Sequence, residues 1–120
     1  QKGIVTDLVR KRLDEDGANI AEVVAIGPVP MMKAVADLTR SYGTPTTVSL
    51  NSLMVDGLGM CGACRVTVGG KMKFTCVDGP EFDGHQVDFA ELRQRLGSFR
   101  AQEQIAKEQH RCHCFEKKEA

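Results

Sequence analysis

The apolar positions of the N-terminal segment follow a helical period. They recur every three or four residues, at Ile4, Val5, Leu8, Val9 and Leu13. This spacing predicts an amphipathic helix, and Gly17 is placed to end it. The next apolar run, EVVAI at residues 22–26, predicts a short buried strand that ends at Gly27.

A second helix and a second strand are predicted downstream. Pro28 and Pro30 suit a first helical turn, where a missing N–H costs nothing, and Gly43 suits a C-terminal stop. One face of this helix is apolar, with Met31, Met32, Val35, Leu38 and Tyr42. We interpret its two methionines as helix core rather than as cofactor contacts. The run TPTTVSLN, residues 44–51, is rich in β-branched residues and predicts a strand.

The succession of strand, helix and strand predicts a right-handed βαβ unit with parallel strands, and hence an α/β fold. Two parallel strands cannot bury both of their faces alone. We therefore expect the rest of the sheet to lie upstream of Gln1, in a longer polypeptide of which this chain is the last part.

Glycine and cysteine dominate from Asp56 onward, and a regular alternation then surrounds the pair Gly69-Gly70. Such a pair predicts a two-residue β-hairpin. Pairing the strands outward from this turn returns Cys76 to the side of Cys64. The hairpin therefore brings a distant thiol back to the glycine-rich loop.

The remainder of the chain predicts a loop, a helix and a polar end. The run VDGPEFDGHQ, residues 77–86, is full of turn residues and predicts a loop. A helix is predicted to open at residues 87–92, with Asp88 as its N-cap. Beyond Gly97 the chain is polar, and we expect residues 101–120 to form a tail that frays.

The charge balance excludes two broad classes of protein. The chain has 16 basic and 16 acidic residues, a formal net charge of zero, and binding to nucleic acid or to a membrane surface needs a basic excess. No apolar run is long enough to span a bilayer, and the first residues lack the features of a signal peptide. We therefore expect a cytoplasmic protein.

The cysteines are the candidate chemistry of the chain. There are five: Cys61, Cys64, Cys76, Cys112 and Cys114. An odd number of closely spaced thiols in a reducing compartment is typical of metal binding or redox work, not of a disulfide framework.

Three of these thiols follow an aspartate at a specific spacing. The order is Asp56-x4-Cys61-x2-Cys64-x11-Cys76. Plant-type [2Fe–2S] ferredoxins use C-x4-C-x2-C and a distant fourth cysteine, so this chain keeps that spacing with aspartate in the first position. A carboxylate can replace a thiolate on iron. The spacing thus predicts an Asp/Cys3 ligand set for a [2Fe–2S] cluster.

Other interpretations of these residues remain open. Cys-x2-Cys is also the commonest half-site of structural zinc, which takes four ligands, although Cys76 is single and zinc leaves Asp56 unexplained. Reduced structural cysteines are a further alternative. Asp-Gly is also ordinary turn chemistry, so the aspartate has an alternative role that needs no metal.

The segment from AIGPVPMMKAV (residues 25–35) to DFAEL (residues 88–92) resembles a known family. It is similar to the C-terminal part of the FAD- and NAD-binding iron–sulfur electron-transfer subunits, which include that of dihydroorotate dehydrogenase and the gamma subunits of cytoplasmic hydrogenases. The cysteine loop and CVDGPEFDGH, residues 76–85, are the most specific part. Because Asp56 stands where dihydroorotate-type members have cysteine, the resemblance favours the NADH-dependent reduced ferredoxin:NADP+ oxidoreductase (sulfide dehydrogenase) branch.

The resemblance implies an organisation for the chain. Residues 1–52 would be the C-terminal half of a ferredoxin-reductase-like NAD(P)-binding domain, residues 53–100 a small β-hairpin [2Fe–2S] domain with a C-terminal helix, and residues 101–120 a tail. Gly27 and Pro28 would lie near the nicotinamide, although a simple strand-to-helix junction explains them equally well. Related reductases have a cysteine before that glycine, and this chain does not.

The resemblance also implies a function. In the complete protein, electrons would pass between NAD(P)H, FAD and the [2Fe–2S] cluster, and on to a larger flavin/iron–sulfur oxidoreductase subunit, a ferredoxin or a hydrogenase-type partner. The alternative from another class is a structural zinc module without redox activity. The end of the chain, with His110, Cys112, His113 and Cys114, could bind metal adventitiously or meet a partner subunit.

Overall fold

The computed structural model describes residues 3–110, which form a small α/β structure. The strands are β1 (Val23–Ile26), β2 (Thr46–Ser49), β3 (Arg65–Val68), β4 (Lys71–Phe74) and β5 (Glu81–Asp83). The helices are α1 (Val5–Asp16), α2 (Val29–Tyr42), α3 (Thr75–Asp78), α4 (Phe89–Leu96) and α5 (Arg100–Gln109). A short 3₁₀ turn, Gly17–Asn19, follows α1.

A three-stranded sheet occupies one part of the molecule, in the order β1-β2-β5. Strands β1 and β2 are parallel, from Val23 opposite Thr46 to Ile26 opposite Ser49, and α2 connects them. β5 pairs with β2 in the antiparallel sense. The sequence predicts only a loop there, because three residues flanked by turn residues carry too little pattern to indicate a strand.

Strands β3 and β4 form the predicted hairpin. Val68 lies opposite Lys71 and Val66 opposite Lys73, the register obtained by pairing outward from the glycine turn. Gly69 and Gly70 have φ of 58° and 72°. Positive φ at both central residues is what a type I′ turn requires, and glycine adopts it without steric cost.

One hydrophobic core joins the sheet, α2 and the hairpin. Its buried members are Ala25, Val29, Met32, Val35, Ala36, Val48, Leu50, Val66, Phe89 and Leu92, and Met31 packs against them. The prediction that the two methionines are core residues is confirmed. The core contains residues from both sides of the boundary that the sequence analysis draws after residue 52, so the candidate site rests on the same packed interior as the sheet.

The last two helices extend the hairpin unit. Asp88 caps α4 as predicted, because its carboxylate accepts hydrogen bonds from the N–H groups of Ala90 (3.0 Å) and Glu91 (2.9 Å). Residues 100–109 form helix α5, where the sequence predicts a fraying tail, although the side chains of α5 are exposed and mostly polar. Within residues 3–110, no helix combines the length and apolarity needed to cross a membrane.

Candidate metal centre

The glycine- and cysteine-rich loop leaves the sheet at a defined edge. It follows β2, and so it begins at the carboxyl ends of the two parallel strands. The chain returns to the same edge before β5, where the N–H of Leu50 donates to the carbonyl of Pro80 over 2.9 Å. This backbone hydrogen bond thus joins the two ends of the segment from Leu50 to Pro80, which contains the loop and the hairpin.

The hairpin brings Cys76 to Cys64, as the sequence predicts. Their sulfur atoms lie 3.3 Å apart, with Cys64 Sγ donating to Cys76 Sγ, well beyond the about 2.05 Å of a disulfide bond. The N–H and hydroxyl of the buried Thr75 both donate to the carbonyl of Cys64, over 3.2 and 3.0 Å. Thr75 therefore fixes the backbone at the point where the two thiols meet.

Asp56 organises the other half of the loop. Its carboxylate accepts hydrogen bonds from the N–H groups of Leu58 (2.9 Å), Met60 (3.0 Å) and Cys61 (2.6 Å). These donors, chiefly Leu58 and Cys61, lower the pKa of Asp56 below its ordinary value because they stabilise the carboxylate. The side chain of Cys61 also lowers the pKa of Asp56, so Asp56 and Cys61, joined by the Cys61 N–H, form a second pair.

The two pairs are neighbours. The hydrogen bond with Cys64 is the largest cause of a raised pKa at Cys76, and burial adds to it. Asp56 raises the same pKa through its negative charge, whereas the backbone N–H of Gly59 lowers it. An aspartate at one end of the loop therefore acts on a thiol that arrives from the far side of the hairpin.

Glycine is required where the loop turns through the left-handed region. Gly57, Gly59 and Gly62 have φ of 71°, 79° and 66°. A Cβ on Gly59 would in addition lie 2.9 Å from a methyl group of Val77. Side chains are strained at such φ values, so these glycines let the loop curl and direct its N–H groups toward the carboxylate of Asp56.

The donor atoms do not surround a single ion. Among residues 3–110, no three His, Cys, Asp or Glu side chains are grouped so that they could hold one metal ion. The thiol of Cys64 is buried, that of Cys76 is half-buried and that of Cys61 is exposed. One carboxylate and three thiols in two adjacent pairs fit the ligand chemistry of a two-iron cluster better than a closed tetrahedral zinc site.

Gly27 and Pro28 lie at the strand-to-helix junction, at the same edge of the sheet as the loop. Gly27 follows β1, and Pro28 is the N-cap of α2. The carbonyl of Pro28 accepts from the N–H groups of Met31 (2.9 Å) and Met32 (3.1 Å). The junction accounts for both residues structurally, and their proximity to a nicotinamide stays a prediction.

The residues at the end of the chain that could bind metal or meet a partner lie mostly outside the described residues. Cys112, His113 and Cys114 belong to residues 111–120, and His110 is exposed at the end of α5.

Two features of the surroundings have no counterpart in the sequence analysis. Exposed apolar side chains belong to the loop or flank it in sequence, and we call them the apolar rim: Leu53, Met54, Val55, Leu58, Met60 and Val77. Arg95 of α4 reaches the loop and donates to the carbonyl of Ala63 over 3.4 Å. The sequence does not predict this contact, because the contact depends on how α4 packs against the hairpin.

A family comparison agrees with this arrangement. Residues 51–88 match the iron–sulfur cluster binding domain of dihydroorotate dehydrogenase B. The matched segment contains all four residues of the two pairs.

Sequence relatives extend the similarity beyond this domain. The chain is 53% identical over 107 residues to a Thermotoga maritima homolog of the dihydroorotate dehydrogenase B (NAD(+)) electron transfer subunit, covering 89% of this chain and 37% of the relative. A Clostridium beijerinckii protein from the adh 3′ region is 51% identical over 102 residues, covering 85% and 34%.

A solved structure of NADH-dependent reduced ferredoxin-NADP oxidoreductase, a protein studied for flavin-based electron bifurcation, contains a similar chain. The TM-score is 0.80 at 51% sequence identity, over 90% of this chain and 38% of that one. The chain is therefore similar to a part of these proteins and spans about a third of the length of the curated relatives it matches.

Proposed function

We propose that this chain is the cluster-bearing part of an electron-transfer subunit in a larger NAD(P)H-dependent flavin/iron–sulfur oxidoreductase. One observation carries the proposal. Cys64 and Cys76 meet at 3.3 Å beside the Asp56–Cys61 pair, inside the segment that matches an iron–sulfur cluster binding domain.

The proposed ligands are Asp56, Cys61, Cys64 and Cys76, and the group they would hold is a [2Fe–2S] cluster. Cys64 and Cys76 would hold the cluster from one side of the loop, and Asp56 and Cys61 from the other. Such a cluster exchanges one electron at a time. The protein contributes ligand geometry, burial and local charge, which set the potential at which that electron moves.

Asp56 can act as a ligand without giving up its hydrogen bonds. Its carboxylate accepts three backbone hydrogen bonds, and each carboxylate oxygen can accept more than one interaction. Those N–H groups keep the side chain ionised and pointed into the loop. They would therefore support an anionic oxygen ligand, which is harder than a thiolate and alters the potential.

The remaining cofactors are proposed for the complete protein. FAD and NAD(P)H would bind mostly to segments outside this chain, with Gly27 and Pro28 in the vicinity of the nicotinamide. The shared sheet edge supports this placement, because ligands of open α/β sheets bind beyond the carboxyl ends of the strands. The cysteine loop begins at that same edge, which would keep the path of an electron short.

A partner is proposed for the apolar rim. Met60 is 83% exposed and Leu58 72% exposed, and exposed apolar groups of this kind mark interaction sites. The name of the Thermotoga maritima homolog, an electron transfer subunit, supports a larger flavin/iron–sulfur subunit as the occupant. Docking there would exclude water from the loop and bring the electron acceptor close to Cys61.

Anaerobic purification of the complete protein, with analysis of iron, acid-labile sulfide and zinc, tests the proposal. We expect two irons and two sulfides for each chain, with visible absorption that bleaches on reduction. Stoichiometric zinc without sulfide would replace the proposal with a structural zinc module. Chemical reconstitution with iron and sulfide is the control for a cluster lost during purification.

A further inference from the structure

Arg95 contacts the cysteine loop, and no sequence pattern predicts this contact. It belongs to α4, which packs against β3, and its Nη2 atom donates to the carbonyl of Ala63 over 3.4 Å. Ala63 stands between Cys61 and Cys64, so the guanidinium meets the loop at its centre. The side chain also lines a cavity of about 630 Å³ that Cys61 lines as well.

The charge of Arg95 is not neutralised by an ion pair within residues 3–110. The salt bridges there join Lys11 to Glu15, Lys33 to Asp37 and Lys73 to Asp78. Arg95 Nε is buried and has no hydrogen-bond partner in the same part of the chain. A half-buried charge is screened less than an exposed one, and its field therefore reaches the loop.

We propose that Arg95 is a positioning residue that raises the reduction potential of the cluster held by this loop. The inference rests on the proposed function. Reduction adds one negative charge to the site, and a nearby positive charge stabilises the reduced form more than the oxidised form. The hydrogen bond to Ala63 holds the guanidinium in place and stiffens the backbone between two ligands.

The test compares reduction potentials of the complete protein, measured by redox titration with electron paramagnetic resonance. Arg95→Gln should lower the potential by an amount equivalent to roughly tenfold in the one-electron equilibrium, about 59 mV. Arg95→Lys keeps the charge and should stay near the native value. Arg93→Gln removes the same charge from an exposed position of the same helix and should leave the potential unchanged.

Each outcome separates this inference from the proposed function. If the native protein holds no cluster, the proposed function is wrong. If the native protein holds a cluster but Arg95→Gln shifts its potential no more than Arg93→Gln does, only the proposed role of Arg95 is wrong. A low potential in Arg95→Lys would also overturn it.

A second variant covers the case in which Arg95→Gln holds no cluster. Glu103, on α5, lines the same cavity and does not hydrogen bond to the loop. Glu103→Gln removes a negative charge there and should raise the potential, whereas Glu108→Gln, further along α5, should not. Equal potentials in these two variants would overturn the inference.

Discussion

At the scale of single residues, Asp56 has an environment that suits both roles that the sequence presents as alternatives. It caps a turn by accepting backbone N–H groups, and it lies next to Cys61, where we propose that it would bind a metal. These roles are compatible, because the hydrogen bonds that order the loop also keep the carboxylate ionised. An ionised oxygen is the form that a metal ion binds.

Substitution of Asp56 distinguishes a ligand from a turn residue. Asp56→Cys should keep the cluster at a shifted potential, because a thiolate has the same charge and is softer. Cys64→Ala should lose the cluster, since it removes a buried thiol from the close pair. Visible absorption and redox titration measure both effects. An Asp56→Ala protein with native spectrum and potential would show that the aspartate does not bind iron.

At the scale of elements, two glycines end helices in different ways. Gly43 follows α2 with φ of 67°, in the left-handed region. Gly17 follows α1 with φ of −55° and ψ of −31°, in the ordinary helical region. Neither position would bring a Cβ within 4 Å of another group. Sequence pattern assigns the same role to both residues, and only the backbone conformation separates them.

Alanine at these two positions should change stability in opposite directions. Gly43→Ala forces a side chain into the left-handed region and should destabilise the chain by about 1–2 kcal/mol. Gly17→Ala restricts the unfolded chain without straining the folded one and should stabilise it by about 0.4–1 kcal/mol. Thermal or urea unfolding followed by circular dichroism measures both. The same sign for both variants would contradict the backbone assignment.

The packing of α1 on α2 should weaken at alkaline pH. The Tyr42 hydroxyl donates to Asp14 over 2.7 Å, and this hydrogen bond is the largest cause of a raised pKa for Tyr42. Because the pKa of Tyr42 is raised in the folded chain, its hydrogen bond to Asp14 stabilises the fold at pH values below the ordinary tyrosine pKa. This stabilisation is lost as the pH rises through the higher folded-state pKa.

Tyr42→Phe tests this dependence. We expect the variant to unfold at a lower temperature than the native chain near about pH 8 and to lose that difference near about pH 11, where tyrosine is ionised. Asp14→Asn should weaken the same pH dependence. If the unfolding temperatures of the native and Tyr42→Phe chains differ by the same amount at both pH values, the Tyr42 hydroxyl does not contribute a pH-dependent stabilisation.

At the scale of the whole molecule, the sheet has one face that the described residues leave open. Ala25 is buried beneath α2, whereas Val24 is 58% and Ile26 70% exposed on the opposite face of β1. Within residues 3–110, β1 pairs with β2 alone. An open strand edge beside an apolar face favours association with other chains.

The 120-residue chain by itself should therefore associate through this face. A Val24→Thr, Ile26→Thr double variant keeps the β-branched shape and should lower the associated fraction in sedimentation velocity at increasing concentration. Met72→Thr is the control, because Met72 is 59% exposed on the hairpin, away from β1. Equal effects of the double variant and the control would argue against the sheet face as the contact.

Much of the fold could be predicted because its signals are local. Helical spacing, the Gly69-Gly70 turn and the Asp88 cap depend on neighbours in sequence, so each can be recognised from the chain alone. β5 could not, since its three residues become a strand only by pairing with β2. Helix α5 could not be predicted either, because its apolar residues are too sparse to show a helical period.

The sequence by itself determined which donor atoms are available and how they are spaced, because ligand spacing and glycine turns are properties of the chain. Only the tertiary structure decided how they meet. The Leu50–Pro80 hydrogen bond joins the two ends of the segment that contains the loop, the hairpin sets the Cys64–Cys76 distance, and α4 delivers Arg95 to the loop. Those contacts join residues far apart in sequence, and so they arise only when the elements pack.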